Sequence, residues 1–521
     1  MADINNLENK MLDIKKSYWL DSTTLTEYPT LNEDIKIDVA IIGGGITGIT
    51  AAELLKKQGV KVAIIESDRI ACGTTGHTTA KVTSQHNLIY DKLINQFGVE
   101  RAKQYATANE FAIEFVAKNI NENNIDCDFK RLSAYVYTND DSYINKIENE
   151  TNAALKLGLR AKYLKSTPLP FSVKAAMSFD NQAEFHPRKY LLPIAEKIPN
   201  HGSFIFENTR IVDIEEGNPC VLLTAKGHKI TCSKVIIASH FPCYDGLGLY
   251  FTKLRPERSY VVGVKLKDNF PEGMFINTES PTRSLRSQNY KDGQLVLVGG
   301  ESHKTAHGEN TVSHYNNLIN FAENTFNVEN ILYKWSTQDY ITLDSVPYVG
   351  HLNSRSENIY VATGYGKWGM TNSIVAAHIL KDLIVNIDNP WKDIYNPSRS
   401  ISSTSTKNFI VENLDVAKEL IIGKMKSVSN KLNIDKGEAK IVELEGSKYG
   451  AYKDEQGITH IVDVTCTHLG CELKWNTAER SWDCPCHGSR FSWEGDIIEG
   501  PAVHPLNHYK DESNKIHPNL K

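Results

Sequence analysis

Apolar positions come in short β-branched runs over the first part of the chain, and in a three-to-four spacing further on. Residues 36–42 form one such run, which predicts a buried parallel strand. Gly43-Gly44-Gly45-Ile46-Thr47-Gly48 follows at once. A helix-like stretch from Ile49 to Gln58 stops at Gly59, and a second strand runs from Val60 to Ile65 and ends in Glu66. Ile359 to Ser373 reads as a strand, a glycine-rich turn and a helix start. Segment 91–175 is largely helical in pattern, and 250–340 mixes strands and helices. Later, Ile410, Leu414, Ala417, Leu420/Ile421, Met425, Val428 and Leu432 recur every three or four residues, the stripe of an amphipathic helix. Short strands are expected around Ile441–Glu445, Tyr449–Lys453 and His460–Val464.

Composition narrows the function classes. The 521 residues suffice for two or three domains. A net charge of −5 gives no nucleic-acid footprint. Met1 to Leu20 is polar and lacks the apolar core of a secretory signal. No apolar run approaches the ~20 residues that span a bilayer, so a cytoplasmic protein without a transmembrane segment is expected. The amphipathic stripe has two readings. Lys424, Lys426 and Lys431 suit a helix lying on a membrane. Gly423 and the acids Glu412, Asp415 and Glu419 instead suit a helix docked on protein. Asn396-Pro397-Ser398 to Ser405-Thr406 reads as a linker.

The first strand–turn–helix–strand unit carries dinucleotide chemistry. Gly43, Gly45 and Gly48 allow the tight turn, the approach of a pyrophosphate and close helix–strand packing, with Thr47 in the same turn. The helix start offers free N–H groups to phosphate. Glu66 follows where a carboxylate takes ribose hydroxyls, which disfavours NADP. Thr74, Thr75, Gly76, His77 and Thr78 add small donors. Gly364, Gly366, Gly369, Met370 and Thr371 form a second helix entry able to stabilise negative charge on a reduced flavin.

Nine cysteines are present, four of them near the C-terminus. There the chain reads Cys466-x-His468 and then Cys484-x-x-His487. Two thiolates and two imidazoles in this pattern fit a Rieske-type 2Fe–2S cluster. Such ligation raises the potential to roughly −150 to +300 mV, against about −400 mV for plant-type ferredoxins. A structural zinc site is the rival. It leaves Cys471 and Cys486 unexplained, and the one-residue spacing of Cys466 and His468 is short for a zinc knuckle.

Both half-motifs resemble the Rieske proteins of respiratory and photosynthetic cytochrome complexes. The resemblance implies Cys466, His468, Cys484 and His487 as ligands, a Cys471–Cys486 disulfide, and a Ser489 hydroxyl that donates to a cluster sulfur. Gly500-Pro501-Ala502 resembles that family's cluster-covering loop. High-potential members carry Tyr where this chain has Phe491, which implies a lower potential. Residues 36–395, including Asp344-Ser345-Val346-Pro347-Tyr348-Val349-Gly350, resemble FAD-dependent oxidoreductases of the D-amino-acid oxidase and glycine oxidase superfamily. The flavin part is similar to gamma-glutamylputrescine oxidoreductase. The expected fold is an α/β Rossmann-like FAD-binding domain interleaved with an α+β substrate domain, followed by an all-β Rieske domain. The boundaries are an extension over 1–35, the flavin domain over 36–395 with substrate layers near 91–175 and 250–340, a linker and helix over 396–436, and the Rieske domain over 437–521.

The resemblance implies oxidation of a C–N bond in an amine or amino-acid-like substrate, with electrons passing from FAD through the cluster to an external acceptor. Amino-acid-oxidising members place an Arg before the Asp-x-x-Pro turn. Asp339 falls about there, which suggests a cationic or neutral amine, unless Asp339 is structural. His303 and Lys304, at a strand end, are further pocket candidates. Two other functions are compatible: an oxidase that uses O₂ and keeps the Rieske domain as a structural unit, and a non-catalytic redox sensor. No two-His, one-carboxylate iron site supports a Rieske oxygenase.

Overall fold

A computed structural model describes residues 17–291, 293–308, 310–400, 403–425 and 434–509. The β-branched run forms strand Ile35–Ile42 at the centre of a mostly parallel sheet. It pairs on one side with Val62–Ile65, Val39 lying beside Val62, and on the other with Lys229–Ile237. The path runs on to Phe204–Phe206 at one edge, and through Ile359–Thr363 to Tyr348–His351 at the other. Burial on both faces explains the unbroken apolar runs. Helices Ile46–Lys56 and Gly369–Ile384 pack together on one face, their buried side chains joining Ile41, Ile64 and Tyr360.

A nine-stranded sheet forms the second layer, ordered Val328–Thr342, Leu254–Leu266, Gly293–Lys304, Arg283–Tyr290, Met274–Asn277, Lys130–Thr138, Ala175–Glu184 and Lys81–Val82, with Ala161–Leu164 also paired to Ala175–Glu184. The helical expectation for 91–175 holds for Tyr90–Asn123 and Ile144–Lys156 only. Lys130–Thr138 intervenes as a strand, because its aromatic and β-branched residues pair along Ala175–Glu184.

The C-terminal domain consists of two small antiparallel sheets. One contains Ala439–Leu444, Ser447–Lys453 and Thr459–Asp463; the other runs Lys474–Asn476, Ser481–Asp483, Arg490–Ser492, Ile497–Glu499. Trp482, Phe491, Leu473 and Leu506 fill its core.

The expected linker is shorter than its composition suggested, because helix Ser403–Met425 begins inside it. Arg399 fixes the approach to this helix. Its Nε and Nη2 each donate to Asp344 at 2.7 Å, and its Nη1 donates to Pro347 O at 3.0 Å. The helix then docks on protein. Asn408 and Asn413 donate to the carbonyls of Leu343 and Thr252, and Glu419 pairs with Lys474 of the C-terminal domain. Val416 and Leu420 pack on the C-terminal core. The stripe positions Val428 and Leu432 lie outside the described residues. No helix among the described residues is long and apolar enough to cross a membrane.

Candidate functional site

The glycine turn owes its shape to excluded side chains. Gly43 has φ +107°, and a Cβ there would meet Ala238 O at 2.5 Å. A Cβ on Gly48 would meet Gly43 O at 2.0 Å, so Gly48 serves helix–strand packing and stands off the cavity. Gly45 caps helix Ile46–Lys56 without a side-chain bond of its own, and the first N–H of the helix, that of Ile46, donates to Thr75 Oγ1 at 3.2 Å. Around this turn lies a cavity of about 470 Å³. Gly43, Gly45, Thr47 and Glu66 line it, with Thr74, Thr75, His77 and Thr78 from the second segment and Gly369 and Met370 from the third. Glu66 is also a brace: its Oε2 accepts from Gly44 N–H at 2.7 Å and its Oε1 from Asp68 N–H at 3.0 Å. Burial pushes its carboxyl pKa up.

Four other expected contacts are off the cavity wall. A Cβ on Gly76 would meet Ala71 O at 2.9 Å, and Gly364 (φ +76°) packs on Thr342. The Gly366 N–H donates to Tyr340 O at 3.0 Å. Thr371 donates to Thr83 O at 3.1 Å. These residues shape turns and packing. In their place the wall includes Arg210, His240, Phe241 and Tyr340, residues that carry no sequence motif. The hydroxyls of Tyr365 and Thr47 are 2.7 Å apart and join the two glycine-rich turns.

The substrate candidates separate. Asp339 lines the cavity and is 8 % exposed. Its Oδ1 accepts from Tyr340 N–H at 2.8 Å and its Oδ2 from Lys367 N–H at 2.7 Å. Burial raises its pKa. The carboxylate therefore holds the turn that begins at Gly364. His303 and Lys304 do not line the cavity. His303 is stacked 4.4 Å from His314, ring centroid to centroid, and meets Tyr260 Oη at 3.1 Å. Lys304 pairs with Glu412 and Asp415, so it secures helix Ser403–Met425. A charged residue at a strand end gives no hint of a helix arriving from a hundred residues away.

The C-terminal half-motifs meet. Cys466 and Cys484 are within hydrogen-bonding reach of each other through their sulfurs. The rings of His468 and His487 are 5.1 Å apart and nearly perpendicular. Nδ1 of each is buried with no hydrogen-bond partner among the described residues. Burial lowers the His468 pKa to about 4 and that of His487 to about 3, so both are neutral imidazoles, as metal ligation requires. The hydrogen bond from Cys484 is the main cause that lowers Cys466 to about 7. Two thiols and two partnerless imidazole nitrogens match the donor set of a Rieske cluster. Cys471 and Cys486 form a disulfide between the two loops. Their sulfurs lie within 4.8 Å of Cys484, but the disulfide removes them as ligands. The Ser489 hydroxyl is in hydrogen-bonding reach of the Cys466 sulfur and accepts from Ala502 N–H at 3.0 Å. Phe491 is fully buried beside Trp482.

The two sites share a wall. Ile498 to Val503 of the C-terminal domain line the large cavity. Tyr340 Oη lies 3.0 Å from Gly500 O and 3.3 Å from His487 O, with one proton to share between them, and Gln338 Nε2 donates to Gly488 O at 2.8 Å. The Phe241 ring is 6.1 Å from that of His468, and Phe251 is 5.8 Å from His487. A Cβ on Gly488 would meet Pro256 at 2.6 Å, so the close approach needs glycine. Fully buried Arg258 pairs with Glu499 at 2.7 Å across the seam.

Residues 38–383 match the model of the FAD dependent oxidoreductase family. The chain belongs to that family. Residues 424–510 match the Rieske [2Fe-2S] domain. FAD and a Rieske-type 2Fe–2S cluster are thus the cofactors of this oxidoreductase, in keeping with the donor sets above. The chain is 44% identical to YhfW of Bacillus subtilis (strain 168), named as a Rieske 2Fe-2S iron-sulfur protein, over 94% of this chain and 97% of that one. It is 24% identical to the gamma-glutamylputrescine oxidoreductase of Escherichia coli (strain K12), over 72% of this chain and 90% of the relative. Among solved structures, glycine oxidase from Geobacillus kaustophilus superposes with a TM-score of 0.60 at 18% identity, covering 70% of this chain and all of that one; this likeness is one of fold.

Proposed function

We propose that this oxidoreductase is a dehydrogenase of amines or amino-acid-like compounds whose electrons leave through the Rieske centre to an external acceptor. When bound, FAD would supply the acceptor for the hydride that leaves the carbon beside the substrate nitrogen, and the cluster would carry electrons singly. The observation that carries the reading is the shared wall: Phe241 and Tyr340 line the cavity and also reach His468 and the His487 carbonyl. The activity for which the Escherichia coli relative is named, gamma-glutamylputrescine oxidoreductase, supports the amine class. The chain's own residues supply placement. Glu66 and Asp339 brace the two turns, Ser489 bonds a ligand sulfur, and the Gly500 to Ala502 loop closes the seam.

An anaerobic screen of amines and amino acids on the purified holoenzyme tests this. The expected result is flavin bleaching by one compound class, with the paramagnetic signal of a reduced Rieske cluster appearing in step. Bleaching without any cluster signal would overturn the electron route. Oxygen consumption undiminished in Cys484→Ser would point to the oxidase.

A further inference from the structure

Lys81 occupies the two-residue strand Lys81–Val82, at the edge of the nine-stranded sheet. It directly follows the threonine-rich segment that lines the cavity. Its side chain is 9 % exposed and lines the same cavity, in company with Ile276, Ser284 and Gly299 of that sheet. A buried lysine normally has a carboxylate partner. Lys81 forms no ion pair among the described residues, and its Nζ donates one hydrogen bond, to Phe275 O at 2.9 Å. Glu184 lies opposite it in the strand register but pairs with Arg286 Nε at 3.2 Å. Arg286 itself is fully buried and faces Lys81 as a like charge.

Burial, reinforced by Arg286 and opposed by Glu184, brings the Lys81 pKa down to about 7. A neutral amine has a lone pair that can accept a proton, and Lys81 lines the cavity where a substrate would bind. A fixed cation for a substrate carboxylate would be served better by a paired, fully charged group. An amine substrate, by contrast, arrives at neutral pH as an ammonium ion and has to lose a proton before its C–H bond can be oxidised.

We propose that Lys81 is the general base that takes the ammonium proton of the substrate. The N–H bond of the substrate breaks, an N–H bond to Lys81 Nζ forms, and no electrons change owner in this step. The proton afterwards returns to solvent. The inference rests on the amine-dehydrogenase reading above.

The test compares holoenzyme with Lys81→Met and Lys81→Arg, each checked for FAD content, using the most efficient amine of the anaerobic screen. The rate of bleaching in the unaltered protein should rise with pH through an inflection near neutrality. In Lys81→Met the rate at pH 7 should fall by about 10²–10⁴-fold and recover only where the free substrate amine deprotonates. Lys81→Arg should not rescue it. Independently of turnover, holoenzyme labelled with [ε-¹³C]lysine should show one resonance titrating near neutrality that Lys81→Met removes. An unchanged pH profile in Lys81→Met, rescue by Lys81→Arg, or a Lys81 resonance that titrates above pH 9 would each overturn the assignment. If no amine bleaches the unaltered protein at any pH, the parent reading falls, and this one with it.

Discussion

At the dinucleotide site the chain works mainly by leaving side chains out; at the cluster site it works by putting four in. Gly43, Gly45 and Gly48 keep a turn open, and braces such as Glu66 and Asp339 hold backbone N–H groups. The binding surface is spread over segments from Gly43 to Met370, with no single side chain in charge. At the cluster site two loops a short stretch apart place two sulfurs and two ring nitrogens, tied by one disulfide. The contrast follows from the ligands. A dinucleotide is long and satisfied by many weak donors, whereas iron needs few donors of fixed kind. The first site should therefore degrade gradually under substitution, and the second should fail at once.

Four substitutions test that contrast, taken from the largest expected effect to the smallest. Cys484→Ser should abolish the cluster, read as loss of its visible absorbance and paramagnetic signal, while FAD remains bound. Retention of a Rieske signal would break the comparison. Arg399→Met leaves the buried Asp344 carboxylate without its partner and should cost about 3–5 kcal/mol, measured by urea unfolding. Burial pushes the Asp344 carboxyl up, but Arg399 holds it below the ordinary range. A depressed carboxyl stabilises the fold fully above its unfolded pKa of about 3.9, and the contribution is lost as pH falls through the folded value. Acid should thus weaken the unaltered protein below about pH 4, and the variant should lose that dependence.

Asp339→Asn should loosen the turn at Lys367, because an amide offers one acceptor oxygen where two backbone N–H groups now bind. FAD affinity should drop about tenfold, the equivalent of one hydrogen bond, with the order of substrate preference unchanged. A switch toward amino acids would instead restore Asp339 as a substrate contact. Phe491→Tyr is the mildest change. A new hydroxyl near the cluster should raise its potential by some tens of millivolts, roughly one hydrogen bond of about 1 kcal/mol, read by redox titration. An unmoved potential would mean that the hydroxyl does not reach a sulfur.

Much of the machinery was legible in the chain because it is local. The strand, turn and helix around Gly43 follow from a β-branched run meeting glycines, and the ligand spacing around Cys466 and Cys484 follows from coordination chemistry. The docked reading of the amphipathic helix rested on Glu412, Asp415 and Glu419, and these acids do find Lys304 and Lys474. The pairing of Lys304 with Glu412 and Asp415 left no trace in the chain, because these partners are remote in sequence. Gly364 and Gly366 show what the chain does not separate, since a glycine needed for a turn and a glycine needed for a ligand leave the same trace.

By itself, then, the sequence determined the two cofactors and the local folds that receive them, because periodicity, turn chemistry and ligand type act over a few residues. The tertiary structure alone decided that the two sites share a wall. Tyr340, Phe241 and the loop from Ile498 to Val503 converge only after a nine-stranded sheet has formed and the Rieske domain has docked on it through Arg258, Gln338 and Gly488. It also decided that Lys81 is buried without a carboxylate partner, since that depends on Glu184 having been taken by Arg286. Such placements come from packing between distant segments, where no residue spacing along the chain records the outcome.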